Sequence, residues 1–174
     1  MLKKYSNKLV ALHWMTVPLM ILSLGMGTFV LAEMPNNLEK INSLQVHMII
    51  GFVVGLLTLI RIFVKKNHQP LEPLKVENEA RKKLIKVTHF ALYTLILLMV
   101  ASGITLSILS GLGEIVFFGS SAPLPEDFSI YLPRKAHGIF AKVLFAFIGI
   151  HVVGVILYKF KTDSSISKRM WFGK

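Results

Sequence analysis

Cysteine is absent from the 174 residues of the chain. Disulfide bonds, thiolate zinc sites, cysteine-held iron–sulfur clusters and covalently attached c-type haem are therefore excluded. Any metal must be held by imidazole, thioether or carboxylate groups. Acidic residues are scarce as well, with 9 Asp and Glu against 20 Lys and Arg, and the net charge is +11.

The excess of Lys and Arg does not predict nucleic-acid binding, because these residues lie beside apolar segments and not on an aromatic-bearing polar surface. They cluster before the first apolar segment, between the second and third, and after the fourth. The opposite side holds only Lys40, Arg134 and Lys135. By the positive-inside rule, both termini and the middle loop are expected to be cytoplasmic.

The chain is too apolar for an ordinary soluble domain, since 53% of the residues are hydrophobic and the mean hydropathy is +0.61. Four apolar segments, near residues 9–32, 44–64, 87–109 and 137–158, are each long enough to cross about 30 Å of hydrocarbon as a helix. We therefore predict an all-α integral membrane protein, a bundle of four transmembrane helices that forms a single domain over residues 1–174.

Five of the six histidines lie within these segments or at their edges, where ionisable side chains usually mark function. His137 and His151 are fourteen residues apart, which places them on nearly the same face of one helix. The two rings are then separated by roughly 21 Å along the helix axis. At the outer level His47 is the expected partner of His137, whereas spacing leaves His13 and His89 open as partners of His151.

Two pairs of imidazoles at separate depths do not suit zinc, which normally takes three or four ligands together. Bis-histidine haem b needs only two imidazoles per iron, from facing helices of a bundle. The pattern therefore predicts two haem b groups, one in each half of the membrane. Gly51 and Gly55, which follow His47 on the same helix face, predict either a slot for a flat group or close helix packing.

Short motifs along the whole chain carry a resemblance to a known family. They are Leu12-His13-Trp14, Val46-His47 with Gly51, Thr88-His89 through Tyr93, Lys135-Ala136-His137 and Gly149-Ile150-His151. In these the chain resembles the bacterial cytochrome b561 family, the small diheme b-type cytochromes of the inner membrane. That fold is similar to the cytochrome b subunits of membrane-bound formate dehydrogenases and hydrogenases.

The resemblance implies a ligand set for each haem. It pairs His13 with His151 at the inner haem and His47 with His137 at the outer haem. His89 then has no axial role, and His89 and Tyr93 become candidates for contact with a quinone or a haem propionate. Lys142, which lies inside the fourth segment, either extends outward to the membrane surface or pairs with a propionate.

The resemblance also implies an activity, because one member of the family oxidises superoxide at the outer haem and passes the electron to ubiquinone. This chain is accordingly expected to be a superoxide:quinone oxidoreductase of the bacterial inner membrane, with lipid, quinone and superoxide or a periplasmic redox protein as partners. Arg134 and Lys135 either steer superoxide towards His137 or simply mark the lipid boundary.

Two other functions remain open at this stage. One is a quinone-linked cytochrome b subunit of a larger dehydrogenase. The other is a histidine-lined transporter of metal ions or protons, which would be colourless.

Overall fold

The computed structural model describes residues 4–68, 79–162 and 169–172, and within these ranges it contains helices and no strand. Residues 69–78 of the predicted cytoplasmic loop and 163–168 of the basic tail lie outside the described residues. The helices are α1 (Asn7–Gly25), which continues into a π-helical turn (Met26–Val30), α2 (Leu38–Lys66), α3 (Glu79–Leu109), α4 (Leu112–Phe117) and α5 (Leu132–Thr162).

Four of these helices are long and apolar enough to cross a membrane: Asn7–Val30, Leu38–Lys66, Glu79–Leu109 and Leu132–Phe160. The predicted all-α fold with four membrane-spanning helices is therefore confirmed, and the chain is a multi-pass membrane protein. The helices begin before the apolar segments do because polar residues cap them. The side chains of Ser6 and Asn37 accept hydrogen bonds from the backbone N–H groups of Leu9 and Lys40, respectively.

The four long helices pack around a small apolar core, with α3 against α5 and α1 against α2 as the main pairs. Each long helix contributes to that core through Leu24, Val54, Leu95, Ile96 and Leu144. Large apolar side chains on the outer faces are exposed, among them Phe63, Phe90 and Phe160. In a bilayer these faces contact lipid, so their exposure is compatible with a membrane-spanning bundle.

The two ends of the chain meet at one end of the bundle. The backbone N–H of Tyr5 donates to the carbonyl of Arg169, with an N···O distance of 3.1 Å. The indole N–H of Trp14 donates to the carbonyl of Met170 at 2.7 Å, and the ring of Trp171 lies edge-on to Trp14. Both ends therefore lie on the same side of the membrane, and the cytoplasmic assignment of that side stays a prediction.

Helix α4 covers the opposite end of the bundle. Gly111, with a φ of 70°, makes the left-handed turn that separates α4 from α3. Leu112, Ile115 and Val116 are buried against residues at the start of α2 and the end of α3. The side-chain N–H of Gln45 on α2 donates to the carbonyl of Val116 at 3.2 Å. The long loop after α3 thus begins with a cap on the bundle.

The chain enters α5 through a short 3₁₀ turn, Phe128–Ile130. The carboxylate of Asp127 accepts hydrogen bonds from both the backbone N–H and the hydroxyl of Ser129. These hydrogen bonds hold the pKa of the Asp127 carboxyl below its ordinary value. The turn thus lies directly before α5, the helix that carries His137.

Candidate cofactor sites

His47 on α2 and His137 on α5 face each other and form what we call the outer site. Their ring centres are 6.3 Å apart and the ring planes are inclined at 71°. A metal bound to two imidazole nitrogens at roughly 2 Å each, with each ring centre roughly 1 Å further away, needs ring centres roughly 6 Å apart. The separation of the two ring centres therefore matches the one that a single iron between the rings requires.

Serine hydroxyls hold the Nδ1 atoms of both outer imidazoles. The Oγ of Ser102 donates its own proton to the carbonyl of Met99 at 3.0 Å, so it accepts the Nδ1–H of His137 at 2.9 Å. This tautomer leaves the lone pair on Nε2, which could then bind a metal. Ser23 on α1 makes the corresponding contact with Nδ1 of His47, at 3.4 Å. Sequence reasoning missed both serines, although Ser102 is a polar residue inside an apolar segment.

A cavity of about 470 Å³ opens beside the outer imidazoles. Its volume lies within the range of small-molecule sites, roughly 300–1,000 Å³. It is lined mainly by apolar side chains such as Phe52 and Leu144, and it includes His47 and His137 themselves. A largely apolar cavity with two opposed imidazoles is the environment that a bis-histidine haem requires.

Gly51 and Gly55, the two glycines that follow His47 on α2, have different surroundings. One matches the predicted slot for a flat group and the other matches close helix packing. Gly51 lines the cavity, and a Cβ built there would contact only the hydroxyl of Ser23, at 4.0 Å. A Cβ at Gly55 would lie 2.9 Å from a methyl group of Val100 on α3. Gly51 therefore keeps the cavity open, whereas Gly55 allows close packing of α2 on α3.

Two further glycines lie against the outer imidazoles. A Cβ at Gly27 would lie 3.1 Å from Cε1 of His47, and a Cβ at Gly103 would lie 3.4 Å from Cε1 of His137. Gly27 belongs to the π-helical turn at the end of α1, a feature that occurs often at functional sites. The irregular end of α1 thus brings its backbone close to the outer site, which apolar periodicity did not indicate.

The second group of imidazoles, which we call the inner site, contains His13, His89 and His151. The rings of His89 and His151 meet edge-on, with centres 5.2 Å apart and planes at 89°. This separation is smaller than an iron between them needs. The Nδ1–H of His89 donates to the carbonyl of Ile85 at 2.8 Å, which leaves the Nε2 lone pair of His89 free.

His13 is bound to Arg61 of α2, with 2.7 Å between its Nδ1 and a guanidinium nitrogen. A guanidinium can only donate, so Nδ1 of His13 accepts and Nε2 carries the proton. His13 offers no lone pair to iron in this arrangement. The structure thus brings His89, and not His13, into ring contact with His151, and the ligand set of the inner site stays a prediction.

Arg61 is a residue of the inner site that sequence reasoning missed. The ring of Tyr93 on α3 lies beneath it, 5.8 Å from the guanidinium carbon, and also beneath Lys65, 5.3 Å from the ammonium nitrogen. In the described part of the chain, neither cation is paired with a carboxylate. Arg61 follows His47 by fourteen residues, the spacing that separates His137 from His151, and this repeated spacing could have identified it.

The remaining predicted residues are placed as follows. Arg134 lies one turn before His137, and its guanidinium would be 3.4 Å from a Cβ built at Gly138. Lys135 and Lys142 are exposed on α5. Within the described residues, neither lysine contacts an imidazole. Their predicted roles in superoxide steering and propionate binding therefore stay predictions.

Comparison with known families identifies one match. The sequence model of the family described as prokaryotic cytochrome b561 matches residues 4–173. The match covers all four long helices and both imidazole groups. A search of curated proteins finds no match to the chain.

Proposed function

Because the chain belongs to the prokaryotic cytochrome b561 family, whose members are membrane electron carriers with b-type haem, we propose that it binds two haem b groups and passes single electrons between them. The observation that carries this proposal is the outer site, where two imidazoles 6.3 Å apart flank an apolar cavity. Haem iron supplies a one-electron couple that needs no proton at the metal. The role of the helical bundle is to hold the haem and to shield it from water.

At the outer site, His47 and His137 are the proposed ligands. The hydroxyls of Ser23 and Ser102 orient the two rings, and the second of these hydrogen bonds selects the tautomer that binds metal. Helix α4 shields the cavity from the aqueous side, since Phe117 is among its lining residues. In this proposal the histidines bind the haem, the serines orient the histidine rings, and α4 excludes water.

At the inner site, we propose His151 and His13 as the ligands, as the resemblance implies. His89 and Tyr93 are then free to contact a quinone or a propionate. The hydrogen bonds of the two histidines favour the opposite assignment, because the Nε2 lone pair is free in His89 and not in His13. Separate substitution of the two histidines distinguishes these arrangements.

The proposed reaction is oxidation of superoxide at the outer end and reduction of ubiquinone at the inner end. Each superoxide loses one electron and leaves as O₂, and two such electrons with two protons convert the quinone to the quinol. Arg134 and Lys135 are proposed to attract the anion, because they lie within the turn of α5 that precedes His137. The proposed location is the bacterial inner membrane, and Lys142 is proposed as a propionate contact from the lipid-facing side.

Haem content tests the proposal directly. Purified protein is expected to contain two haem b groups per chain by the pyridine haemochrome assay. His137→Ala should retain one, whereas His68→Ala, a control histidine just after α2, should retain both. An unchanged haem content in His137→Ala would show that the outer assignment is wrong.

The inner ligands are tested by a second pair of variants. His13→Ala should lose the inner haem while His89→Ala keeps two haems and loses quinone reduction. Loss of a haem in His89→Ala, with both haems retained in His13→Ala, would assign the inner site to His89 and His151 instead.

The activity is tested in vesicles that contain ubiquinone. A pulse of superoxide should reduce the quinone, and added superoxide dismutase should abolish the signal. Arg134→Gln should slow the reaction several-fold at low salt and less at high salt, because screening removes steering. If haem-replete protein gives no superoxide-dependent reduction, the electron-carrier role stands and another outer donor is required.

A further inference from the structure

Arg61, Lys65 and the ring of Tyr93 form a positively charged site near the end of the bundle where the two ends of the chain meet. We propose that this site binds the phosphate group of an anionic phospholipid. The phosphate lies between the guanidinium of Arg61 and the ammonium of Lys65. The inference goes beyond the proposed function and does not depend on a bound haem.

The two cations are held together on one face of α2. Arg61 and Lys65 are four residues apart, so they are neighbours on the helix surface. The guanidinium carbon lies 5.8 Å from the ring centre of Tyr93 on α3, and the ammonium nitrogen lies 5.3 Å from the same centre. The ring attracts each cation, whereas the two cations repel each other. An anion between them offsets that repulsion.

The cations also keep hydrogen-bond donors for a ligand. Within the described residues, the guanidinium of Arg61 makes one hydrogen bond, to Nδ1 of His13 at 2.7 Å, and its other N–H groups remain available. No carboxylate of the described part of the chain pairs with Arg61 or Lys65. A guanidinium presents paired N–H groups that match the oxygens of a phosphate. The site therefore offers both the charge and the donor geometry that a phosphate group requires.

Two tryptophans place this site at the depth of the lipid headgroups. Trp14 follows His13, the partner of Arg61, and its indole N–H donates to the carbonyl of Met170 at 2.7 Å. The ring of Trp171 lies edge-on to Trp14, and both side chains are exposed. Exposed tryptophans of membrane proteins favour the boundary between hydrocarbon and water. The contact between His13 and Arg61 therefore lies close to that boundary.

The surface beside the site favours a lipid over a free phosphate ion. Phe63 follows Arg61 by two residues and is 69% exposed, and Phe90 precedes Tyr93 by three residues and is 73% exposed. In a bilayer such side chains contact acyl chains. A phospholipid can therefore use the cations and the apolar surface together, whereas a free phosphate ion uses the cations alone. Basic residues beside a membrane attract anionic headgroups for the same electrostatic reason.

Native mass spectrometry tests the proposal, with the protein reconstituted in phosphatidylcholine nanodiscs that contain a minor fraction of phosphatidylglycerol. Wild-type protein should retain phosphatidylglycerol in preference to phosphatidylcholine. Arg61→Gln should lower the apparent affinity for phosphatidylglycerol about fivefold, the factor that one basic residue near an anionic surface contributes. Lys65→Gln should have a similar effect, whereas Lys65→Arg, which keeps the charge, should not. No preference for phosphatidylglycerol in the wild type would overturn the proposal.

Lys66→Gln is the matched control. Lys66 is exposed and carries the same charge as Lys65, but it lies about 100° further round α2 and so on another face. It should retain phosphatidylglycerol as the wild type does. Equal losses in Lys65→Gln and Lys66→Gln would show that the total charge of this end attracts the lipid, and would overturn the site. If Arg61→Gln fails to fold, the exposed Lys65 decides the question.

Other ligands of the two cations give different results. Inorganic phosphate, added to the protein in nonionic detergent, should raise the unfolding temperature less than phosphatidylglycerol does. Equal stabilisation by inorganic phosphate, lost in Lys65→Gln, would assign the site to a soluble anion and overturn the lipid. Loss of haem from Arg61→Gln with unchanged retention of phosphatidylglycerol would also overturn it. Wild-type protein that contains no haem but still prefers phosphatidylglycerol would overturn the proposed function and support this inference.

Discussion

The outer and inner sites are built on one helix and yet differ in their surroundings. α5 supplies an imidazole to each site, His137 and His151, at a spacing of fourteen residues. α2 uses the same spacing but supplies His47 to the outer site and Arg61 to the inner site. The outer site therefore has opposed imidazoles held by hydroxyls, whereas the inner site has imidazoles beside a cation. A repeat in sequence can thus place equivalent ligands in unequal electrostatic environments.

The largest expected effect is the loss of one haem while the other haem is retained. His151→Ala should remove the inner haem and leave the outer haem with its own potential, because its ligands lie on α2 and on the other end of α5. Pyridine haemochrome assay and redox titration measure both quantities. Loss of both haems in a folded variant would show that the two sites are not independent.

A smaller effect is expected from the hydroxyl that fixes the tautomer of His137. Ser102→Ala removes the acceptor for Nδ1–H, and the affinity for the outer haem should fall by roughly 10–100-fold, as for other groups that orient a metal ligand. Haem retention during dilution measures this. Thr105→Ala on the same helix is the control, because the Thr105 hydroxyl bonds to its own helix at Ala101. Equal losses in the two variants would contradict the proposed role of Ser102.

A steric change at Gly27 should act on the outer site only. A Cβ there would lie 3.1 Å from Cε1 of His47, so Gly27→Ala should displace this ring by a few tenths of an ångström and lower outer haem affinity several-fold. Titration of each haem in the variant measures the effect. Gly25→Ala, where nothing lies within 4 Å of the added Cβ, should behave as wild type. A shift of the inner haem in Gly27→Ala would argue against the separation of the sites.

The smallest expected effect concerns the cap over the outer site. Gln45→Ala removes the hydrogen bond to Val116, which is worth about 1 kcal/mol. Amide hydrogen exchange in α4 should become faster, while exchange in the half of the bundle around Arg61 stays unchanged. Unchanged exchange in α4 would show that apolar packing of Leu112 and Ile115 alone holds the cap in place.

Some features of the molecule were predictable from single helices. The four spans follow from the length of the apolar segments, and the shared face of His137 and His151 follows from the helical repeat. Contacts between helices were less accessible. Ser23 and Ser102 are small polar residues of a kind that also occurs in packing interfaces, so nothing local marks them as partners of imidazoles. Spacing likewise could not choose between His13 and His89.

By itself, the sequence determined the membrane-spanning fold, the two levels of histidines and the absence of any cysteine ligand, because these depend on composition and on the geometry of one helix. The tertiary structure alone decided that the ring centres of His47 and His137 lie at a distance that suits one iron, that the backbone of Gly27 lies close to His47, and that Arg61 reaches His13. These contacts depend on the rotation and mutual approach of neighbouring helices, which no single segment of the chain encodes.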